Sequence, residues 1–312
     1  METQSSSSRV VIFGGSGFLG MSLAGYLCSR GYEVVVVSRS APERRLTPEG
    51  CRYVYWDART LGSWVESVDG ACAVVNLAGR TVDCVKTPHN CDQILRSRVE
   101  ATQVIGEAVQ ITSDRPRVWV QMSTAHRYGD SELECNELSP FGYGLAPVVG
   151  AAWEEAYEQS CPKDVRGVVL RTSFVLGKEA PAWKKLRLIT KLGLGGTLST
   201  GTQGMSWVHE DDMNQIFLSA IEDQEMDGPY IASSPAPVSN RDFMKSMRNA
   251  LNMPIGLPAT GWMIQIGARL ILQTDPELAL YGRYVVPQRL LDEGFEFKYA
   301  DLDAALANLS ES

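Results

Sequence analysis

The chain has 312 residues, 44% of them apolar and 21% charged, a balance that fits a globular protein and excludes disordered and fibrous classes. Its net charge of −8, without a stripe of lysine and arginine, argues against a nucleic-acid partner. No run of about 18 apolar residues occurs, so we expect no membrane span and no membrane partner, and we place the protein in the cytoplasm.

The predicted elements follow a polar, serine-rich leader. Residues 1–8 lack the basic start and apolar centre of a signal peptide and are expected to be disordered. Strand-like runs and helical periodicity then alternate, with strands over 10–13, 34–38, 52–56, 73–77, 118–123 and 167–174, and helices over 20–30, 61–68, 93–111 and 151–160. The valine-rich runs indicate strands buried on both faces, so residues 9–176 are predicted to form a doubly wound parallel sheet, the Rossmann α/β class.

The second half of the chain has a different texture. Its glycine-rich stretch 192–201 predicts loop and short strand, and later patterns predict helices over 211–221, 240–251, 260–272 and 300–309 and a strand over 230–233. Asn240 is the expected N-cap of its helix. We expect residues 177–312 to form mostly a small C-terminal lobe that covers the substrate, with about 207–233 returning to the sheet.

A glycine-rich turn joins the first strand to the first helix. Gly14 permits a sharp turn, Gly17 lets the backbone approach a pyrophosphate, and Gly20 allows close helix-on-strand packing. The phosphates would lie at a helix N-terminus, where free N–H groups favour negative charge. The turn predicts a dinucleotide site that comprises Gly14, Gly15, Ser16, Gly17, Phe18, Leu19 and Gly20.

The end of the second strand indicates which dinucleotide binds. An acidic residue there binds the ribose 2′-hydroxyl, whereas a basic residue accommodates a 2′-phosphate. Here Ser38 is followed by Arg39, and no carboxylate competes for the position. Arg44 and Arg45 could assist, and a purely solvated Arg39 is the alternative. We therefore expect NADP(H) rather than NAD(H).

The seven cysteines are scattered and odd in number, which suits free thiols in a reducing compartment. Cys84, His89 and Cys91, beside Asp83 and Asp92, could in principle hold zinc. No second Cys/His pair follows at a suitable spacing, so we expect no metal.

Several separated stretches agree with one superfamily. Residues 14–20 (GGSGFLG), 75–79 (VNLAG) and 123–129 (STAHRYG) resemble the short-chain dehydrogenase/reductase proteins of the extended, epimerase-like type. Further stretches are similar to its poorly characterised epimerase-family subgroup with a C-terminal domain of unknown function: 97–102, 153–154, 171–177, 192–196, 207–212 and 285–295. The resemblance spans residues 9–309 and implies an NADP(H)-binding protein. The cofactor contacts that it implies, beyond the glycine turn, are Ser38, Arg39, Asp57, Leu77, Ala78, Gly79, Arg98 and Val175.

The superfamily's Tyr-x-x-x-Lys dyad is missing. Active members use that tyrosine to transfer a proton and the lysine to lower its pKa. Tyr143 is followed four residues later by Pro147, and alignment on the Trp-Glu pair at 153–154 places Ala146 and Gly150 at the dyad positions.

The remaining candidates for chemistry follow the fifth strand. Thr124 stands at the superfamily's hydroxyl position and Ser123 precedes it, although closing the strand-to-loop turn is an equal alternative. His126 departs from the subgroup and is either an acid/base or a side chain that fills the pocket. The substrate pocket that the resemblance implies comprises Tyr128, Arg171, Gln203, Trp207 and His209. A core ion pair for Arg171 and a helix-terminal role for His209 stay open.

Two functions compete. The favoured one is an NADP(H)-dependent oxidoreductase or epimerase-like protein that acts on a small polar substrate as a monomer or dimer. The alternative is a catalytically weak NADP(H)-binding regulator that acts through a protein partner.

Overall fold

The computed structural model describes residues 8–41, 48–270 and 274–311. The expected leader, apart from Ser8, lies outside the described residues, as do Arg44 and Arg45.

The strands alternate with helices along the first half of the chain. The strands of the described residues are β1 (Arg9–Phe13), β2 (Glu33–Ser38), β3 (Cys51–Tyr55), β4 (Ala73–Asn76), β5 (Val118–Thr124), β6 (Glu134–Cys135), β7 (Arg166–Thr172), β8 (Phe174–Leu176), β9 (Gly204–Met205), β10 (Trp207–His209), β11 (Gly228–Ala232), β12 (Val238–Ser239) and β13 (Tyr284–Val285). The α-helices of the same residues are α1 (Phe18–Cys28), α2 (Pro88–Ile111), α3 (Leu145–Ser160), α4 (Pro181–Ile189), α5 (Glu210–Glu222), α6 (Asn240–Ala250), α7 (Gly261–Leu270), α8 (Glu277–Leu280), α9 (Gln288–Asp292) and α10 (Leu302–Ser310).

A seven-stranded sheet with the order β11-β7-β5-β4-β1-β2-β3 forms the centre of the protein, and all its strand pairs are parallel. Successive residues of β1 face opposite sides: Val10 and Ile12 join the core under α1 and α5, whereas Val11 and Phe13 join the core under α2. Because both faces are buried, the strands show continuous apolar runs. The predicted doubly wound parallel sheet is confirmed.

The C-terminal part adds a smaller layer. Three two-stranded sheets, β8 with β10, β9 with β12, and β6 with β13, accompany a core around Trp183, Trp207 and Phe243. β11 is the edge strand of the central sheet and α5 packs against α1. Residues 207–232 thus contribute to the sheet layer, while the division into domains stays a prediction.

Three local predictions differ from the structure. The helix expected over 61–68 is a short 3-10 turn, Ser63–Ser67, that packs Trp64 against Phe13 with ring centroids 5.2 Å apart. The strand expected over 167–174 divides at Ser173, whose N–H donates to Ala232 O, so β8 leaves the sheet to pair with β10. The N-cap of α6 is Ser239, whose hydroxyl accepts from the Asp242 N–H, and the Asn240 amide oxygen accepts from Leu198 N instead.

Three helices of the described residues were not predicted: α4, α8 and α9. α4 begins with Pro181 in its first turn and buries Trp183. It continues into the turn Thr190–Leu194, which is interrupted at Gly193 with φ +76°. Among the described residues, no helix has the length and apolar character needed to cross a bilayer.

Candidate functional site

In the glycine turn after β1, some glycines are tightly packed and one faces open space. Gly14 has φ +71°, and a Cβ added there would lie 2.8 Å from the backbone of Ala78. A Cβ on Gly20 would lie 2.4 Å from Gly15 Cα, so Gly14 and Gly20 are required by close packing. A Cβ on Gly17 would meet only Gly14 O, at 3.8 Å. The space above Gly17 is therefore open.

The open space lies at the N-terminus of α1. Gly17 caps this helix without a side-chain hydrogen bond, and the first turn contains no acidic residue. Its first N–H groups lack intrahelical acceptors, as at every helix start, and this makes the turn an anion site. Ser16 is half-buried beside it, while Phe18 and Leu19 pack inward against two hydrophobic clusters. Val175, on β8, packs against the same cluster as Leu19.

Arg39 follows β2 at the same edge of the sheet. Its side chain is exposed and forms no ion pair with a described residue. Ser38 is buried, and its hydroxyl donates to Ser40 O at 2.8 Å. Asp57, after β3, accepts from the Thr60 hydroxyl at 2.7 Å and from two backbone N–H groups, and these bonds lower its pKa, the hydroxyl most of all. Asp57 thus shapes the turn at the end of β3.

The turn after β4 is shaped by a buried amide that the sequence analysis missed. Asn76 Oδ1 accepts from Ala78 N at 2.9 Å, and Asn76 Nδ2 donates to Thr102 Oγ1 and Gln121 Oε1 at 3.0 Å each. These bonds fix the path of residues 77–79 (LAG) at the carboxyl end of β4. The polar residue within an otherwise apolar run, VVNLA, was the available signal.

Arg98 reaches this edge from α2. Its Nη1 donates to Arg80 O and Ile94 O, both at 3.0 Å, and burial lowers its pKa to about 10. A Cβ on Gly79 would lie 3.1 Å from Arg98 Cζ, so the glycine makes room for the guanidinium. No described carboxylate lies within ion-pair distance of Arg98. A desolvated cation whose described partners are all uncharged fits an anionic ligand.

The residues before and after the β5 terminus form a buried ionic cluster. Ser123 Oγ donates to Glu154 Oε1 at 2.6 Å, and Arg171 binds both oxygens of Glu154. Arg127 bonds Glu154 Oε2 as well, and the Tyr128 hydroxyl accepts from Arg171 Nη1 at 3.1 Å. The Ser123 hydroxyl and the Arg171 guanidinium both bind Glu154, which favours the alternative of a core ion pair for Arg171. A substrate contact by Arg171 and a chemical role for Ser123 stay predictions.

Thr124 and His126 stay at the edge of this cluster. Thr124 Oγ1 accepts from His126 N at 3.1 Å and caps the 3-10 helix Ala125–Tyr128. Burial and, to a smaller extent, the positive charges of Arg283 and Lys86 lower the pKa of His126 to about 3. The imidazole is therefore neutral at physiological pH.

The positions of the missing dyad are closed or remote. Tyr143 is 99% exposed in the loop before α3. At Gly150, a Cβ would lie 3.3 Å from both Arg127 Cβ and Thr124 Cγ2. A lysine at position 150 would therefore meet Arg127 and Thr124 at once.

Three pocket candidates of the C-terminal half form hydrogen bonds within the fold, and their place in the substrate pocket stays a prediction. Gln203 Nε2 donates to Leu198 O and Ala279 O at 3.1 and 2.9 Å. Trp207 is fully buried, and its Nε1 donates to Ala236 O. His209 Nδ1 accepts from Asp211 N at 3.1 Å and so caps α5, and burial lowers its pKa. The spacing of the motifs does not distinguish a residue that forms such bonds within the fold from one that lines a pocket.

Arg283 is a candidate that the sequence analysis missed. It is 9% exposed, its Nε donates to Gly129 O at 2.7 Å, and burial lowers its pKa to about 10. No described carboxylate lies within ion-pair distance. Lys86 Nζ lies 3.8 Å from Asp275 Oδ2, and both cations act on His126. No periodicity in the sequence indicates this convergence, because residues 86, 126 and 283 are far apart in the chain.

Metal ligands do not converge in the described part of the chain: it contains no group of three or more His, Cys, Asp or Glu side chains that could hold a metal ion. Cys84 and Cys91 are half-buried free thiols.

Comparison with known proteins places the chain in a family. Residues 10–231 match the model of the NAD dependent epimerase/dehydratase family, and residues 259–309 match a domain of unknown function, DUF1731. The human epimerase family protein SDR39U1 is 30% identical over 96% of this chain and 99% of its own length. The Bacillus subtilis epimerase family protein YfhF is 27% identical over 96% of this chain and 97% of its own.

A solved structure agrees along the whole fold. The crystal structure of human SDR39U1, isoform 2, with NADPH superposes with a TM-score of 0.84 at 29% identity, covering 97% of this chain and 99% of that one. The resemblance seen in the sequence motifs is confirmed. The chain belongs to the NAD dependent epimerase/dehydratase family, with a C-terminal domain of unknown function over residues 259–309.

Proposed function

We propose that this protein binds NADP(H) and carries out epimerase-like redox chemistry on a small polar substrate without a Tyr-x-x-x-Lys dyad. The open space at Gly17 carries the proposal: it lies on a helix N-terminus in a turn whose other glycines are required by packing. A pyrophosphate fits that space and that polarity. The human relative whose crystal structure contains NADPH supports the same cofactor here.

The preference for a 2′-phosphate rests on Arg39. Its guanidinium is exposed at the end of β2 and forms no ion pair within the described ranges, and a planar fork donates well to phosphate. Arg98 supplies a second positive charge beside Gly79, likewise without a carboxylate partner among these residues. Residues 77–79 would line the flat part of the cofactor, with Asp57 beside the adenine and Val175 as a further apolar contact.

When bound, the nicotinamide supplies or accepts a hydride. The chain must move the accompanying proton, and Thr124 and His126 are the groups at the β5 terminus that remain for it. Since the low pKa keeps His126 neutral, its imidazole would act as a neutral donor or as a base and not as an imidazolium. Tyr128, whose hydroxyl is bound by Arg171, would contribute a wall of the pocket.

The cations around His126 indicate the substrate class. Among the described residues, Arg283 is buried with no carboxylate within ion-pair distance, and Lys86, which pairs with Asp275, adds a second positive charge nearby. A carboxylate or phosphate group on the substrate would supply the close partner that Arg283 lacks there. We therefore expect a small carbonyl or hydroxyl compound that bears an anionic group.

The test is steady-state NADPH oxidation with carbonyl compounds offered in pairs, with and without a carboxylate or phosphate. Turnover is expected only with the anionic member of a pair. Arg283→Gln is expected to raise KM for that compound at least tenfold, while Arg241→Gln, an exposed arginine that bonds Thr200 O, leaves it unchanged. Equal turnover of the compounds with and without the anionic group would contradict the proposed substrate class.

The regulator is the second candidate. The full exposure of Tyr143 and the glycine at position 150 favour it, because the superfamily's usual pair of proton donor and lysine is missing. A stoichiometric protein partner, retained only when the bait is loaded with NADPH, together with no turnover on any compound, would favour this function. We place either activity in the cytoplasm, since all seven cysteines are free thiols.

A further inference from the structure

Two segments of the chain contain no acidic residue. They are residues 180–209 and 243–274, in a protein whose net charge is −8. Together they contain seven basic residues: Lys184, Lys185, Arg187, Lys191, Lys245, Arg248 and Arg269. The rest of the chain is therefore strongly acidic, and the positive charge is concentrated.

The fold brings the two segments side by side. Leu257 N donates to Gly193 O at 2.8 Å, and Ala259 N donates to Thr197 O at 3.0 Å. Arg248 Nη1 donates to Gly195 O at 2.7 Å. The turn after α4 and the loop before α7 are thus parts of one surface.

This surface is apolar as well as basic. Eight large apolar side chains of these two segments are between 45% and 66% exposed: Leu188, Leu192, Leu194, Ile255, Leu257, Trp262, Met263 and Ile266. Together with Arg187, Lys191 and Arg248 they form what we call the apolar-basic face. Trp262 and Ile266 lie one turn apart on α7, whereas Ile264 between them is buried.

The charges of the apolar-basic face are not compensated. Lys184 and Lys185 pair with Glu179 and Asp83, so they add little. Lys191 is exposed and, like Arg187 and Arg248, forms no ion pair with a described residue. An apolar surface with cations that lack carboxylate partners among the described residues complements a surface that is both apolar and anionic.

We propose that the apolar-basic face docks the protein on an anionic lipid bilayer. Segments that lie in the membrane interface combine exposed leucine and tryptophan with lysine and arginine, and each cation near an anionic surface strengthens the attraction. Residues 187–194 (RLITKLGL), together with the exposed Trp262, have this composition. Surface docking needs no membrane span, so it is compatible with the helices described, although it departs from our expectation of no membrane partner.

Other occupants fit less well. A second copy docked through the same face would place Lys191 and Arg248 against their like charges, which disfavours a symmetric dimer. An acidic peptide would need a groove. The leucines on either side of Gly193 and the apolar residues on either side of Gly256 project from turns instead.

Trp262 makes the docking measurable. It is 66% exposed, whereas the six other tryptophans are at most 4% exposed. The full chain is titrated with vesicles of phosphatidylcholine alone or mixed with phosphatidylserine, and tryptophan emission is followed. We expect a blue shift only with phosphatidylserine, quenching by brominated acyl chains, and weakening at high salt. Trp262→Phe removes the signal while sedimentation still shows binding.

Variants separate the two components of the face. Lys191→Glu and the double change Leu192→Ser with Leu257→Ser are each expected to weaken vesicle binding about tenfold. Matched controls outside the face are Lys163→Glu, at an exposed lysine, and Leu133→Ser, at a leucine that is 77% exposed. All these positions are exposed, so the fold should tolerate the changes.

Equal binding to neutral and anionic vesicles, or equal effects of face and control variants, would overturn the proposal. So would light scattering that shows a dimer of the 34.2 kDa chain which Leu257→Ser dissociates while vesicles do not bind. A sedimenting complex whose Trp262 emission is not quenched by brominated lipid would also overturn it.

Discussion

Arg171 and Glu154 form a bidentate ion pair: Arg171 Nε donates to Glu154 Oε1 at 3.1 Å, and Arg171 Nη2 donates to Glu154 Oε2 at 2.9 Å. Both side chains are at most 6% exposed. The pair joins α3 to β7 beneath the β5 terminus, and Ser123 and Arg127 complete it. The Arg171 guanidinium, which the motif suggested as a substrate contact, therefore stabilises the packing of α3 against β7 next to the candidate site.

Replacing Glu154 by Gln should destabilise the fold. The change leaves two buried guanidinium groups, those of Arg127 and Arg171, without a carboxylate, and removing one partner of a buried pair costs about 3–5 kcal/mol. Urea unfolding measures the difference. Glu155→Gln, next in sequence but exposed, is the control and should leave the midpoint unchanged. Equal midpoints for the two variants would show that the cluster is not stabilising.

Replacing Arg39 by Ala should weaken NADPH binding selectively. Loss of a charge-assisted phosphate contact costs about 1.5–3 kcal/mol, which is roughly tenfold or more in Kd. NADH affinity should not change, because it lacks the 2′-phosphate. Fluorescence titration of both cofactors measures the ratio, with Arg30→Ala at the other end of α1 as control. Equal affinity of the unmodified protein for NADPH and NADH would contradict the proposed contact between Arg39 and the 2′-phosphate.

Substitutions in the glycine turn should separate binding from folding. Gly17→Val places a side chain in open space, so it should abolish NADPH binding while the thermal melt stays unchanged. Gly20→Ala should lower Tm, because its Cβ would lie 2.4 Å from Gly15 Cα. Calorimetric titration and thermal melts on both variants make the comparison. If Gly17→Val still binds NADPH, this turn is not the pyrophosphate site.

Stability should fall in mild acid because of His126. Its pKa is about 3 when folded, against an ordinary value of 6.5, so only the unfolded chain takes up the proton between these values. This uptake does not affect the free energy of unfolding above pH 6.5. It lowers the free energy of unfolding progressively as the pH falls from 6.5 toward 3. Wild type should lose about 2–4 °C of Tm per pH unit more than His126→Gln in this window. His89→Gln, at an exposed histidine, is the control and should follow wild type; parallel curves for wild type and His126→Gln would refute the assignment.

The sequence was sufficient for features that depend on local pattern. The apolar run over residues 10–13 predicted a strand buried on both faces, and the glycine spacing predicted the turn after it, because both follow from neighbours in the chain. Partners far apart in sequence were not predictable: Ser173 bends β8 away through Ala232, 59 residues later. The motif around Arg171 likewise carried no sign that a carboxylate on α3 would occupy it. The proximity of Lys86, His126 and Arg283 could be recognised only from the folded structure.

The last prediction concerns the proton. Tyr143 is 99% exposed, and position 150, where an added Cβ would lie 3.3 Å from Arg127 Cβ and Thr124 Cγ2, is occupied by glycine and not by lysine. Tyr143→Phe should therefore retain most of whatever turnover exists. Thr124→Val or His126→Ala should lower it about a hundredfold, the lower range for losing a positioned proton donor or acceptor. Steady-state NADPH oxidation on the best carbonyl substrate measures this, with cofactor affinity determined separately for each variant. If Tyr143→Phe alone is inactive while NADPH still binds, the tyrosine mechanism of the superfamily operates here and the assignment to Thr124 and His126 is wrong.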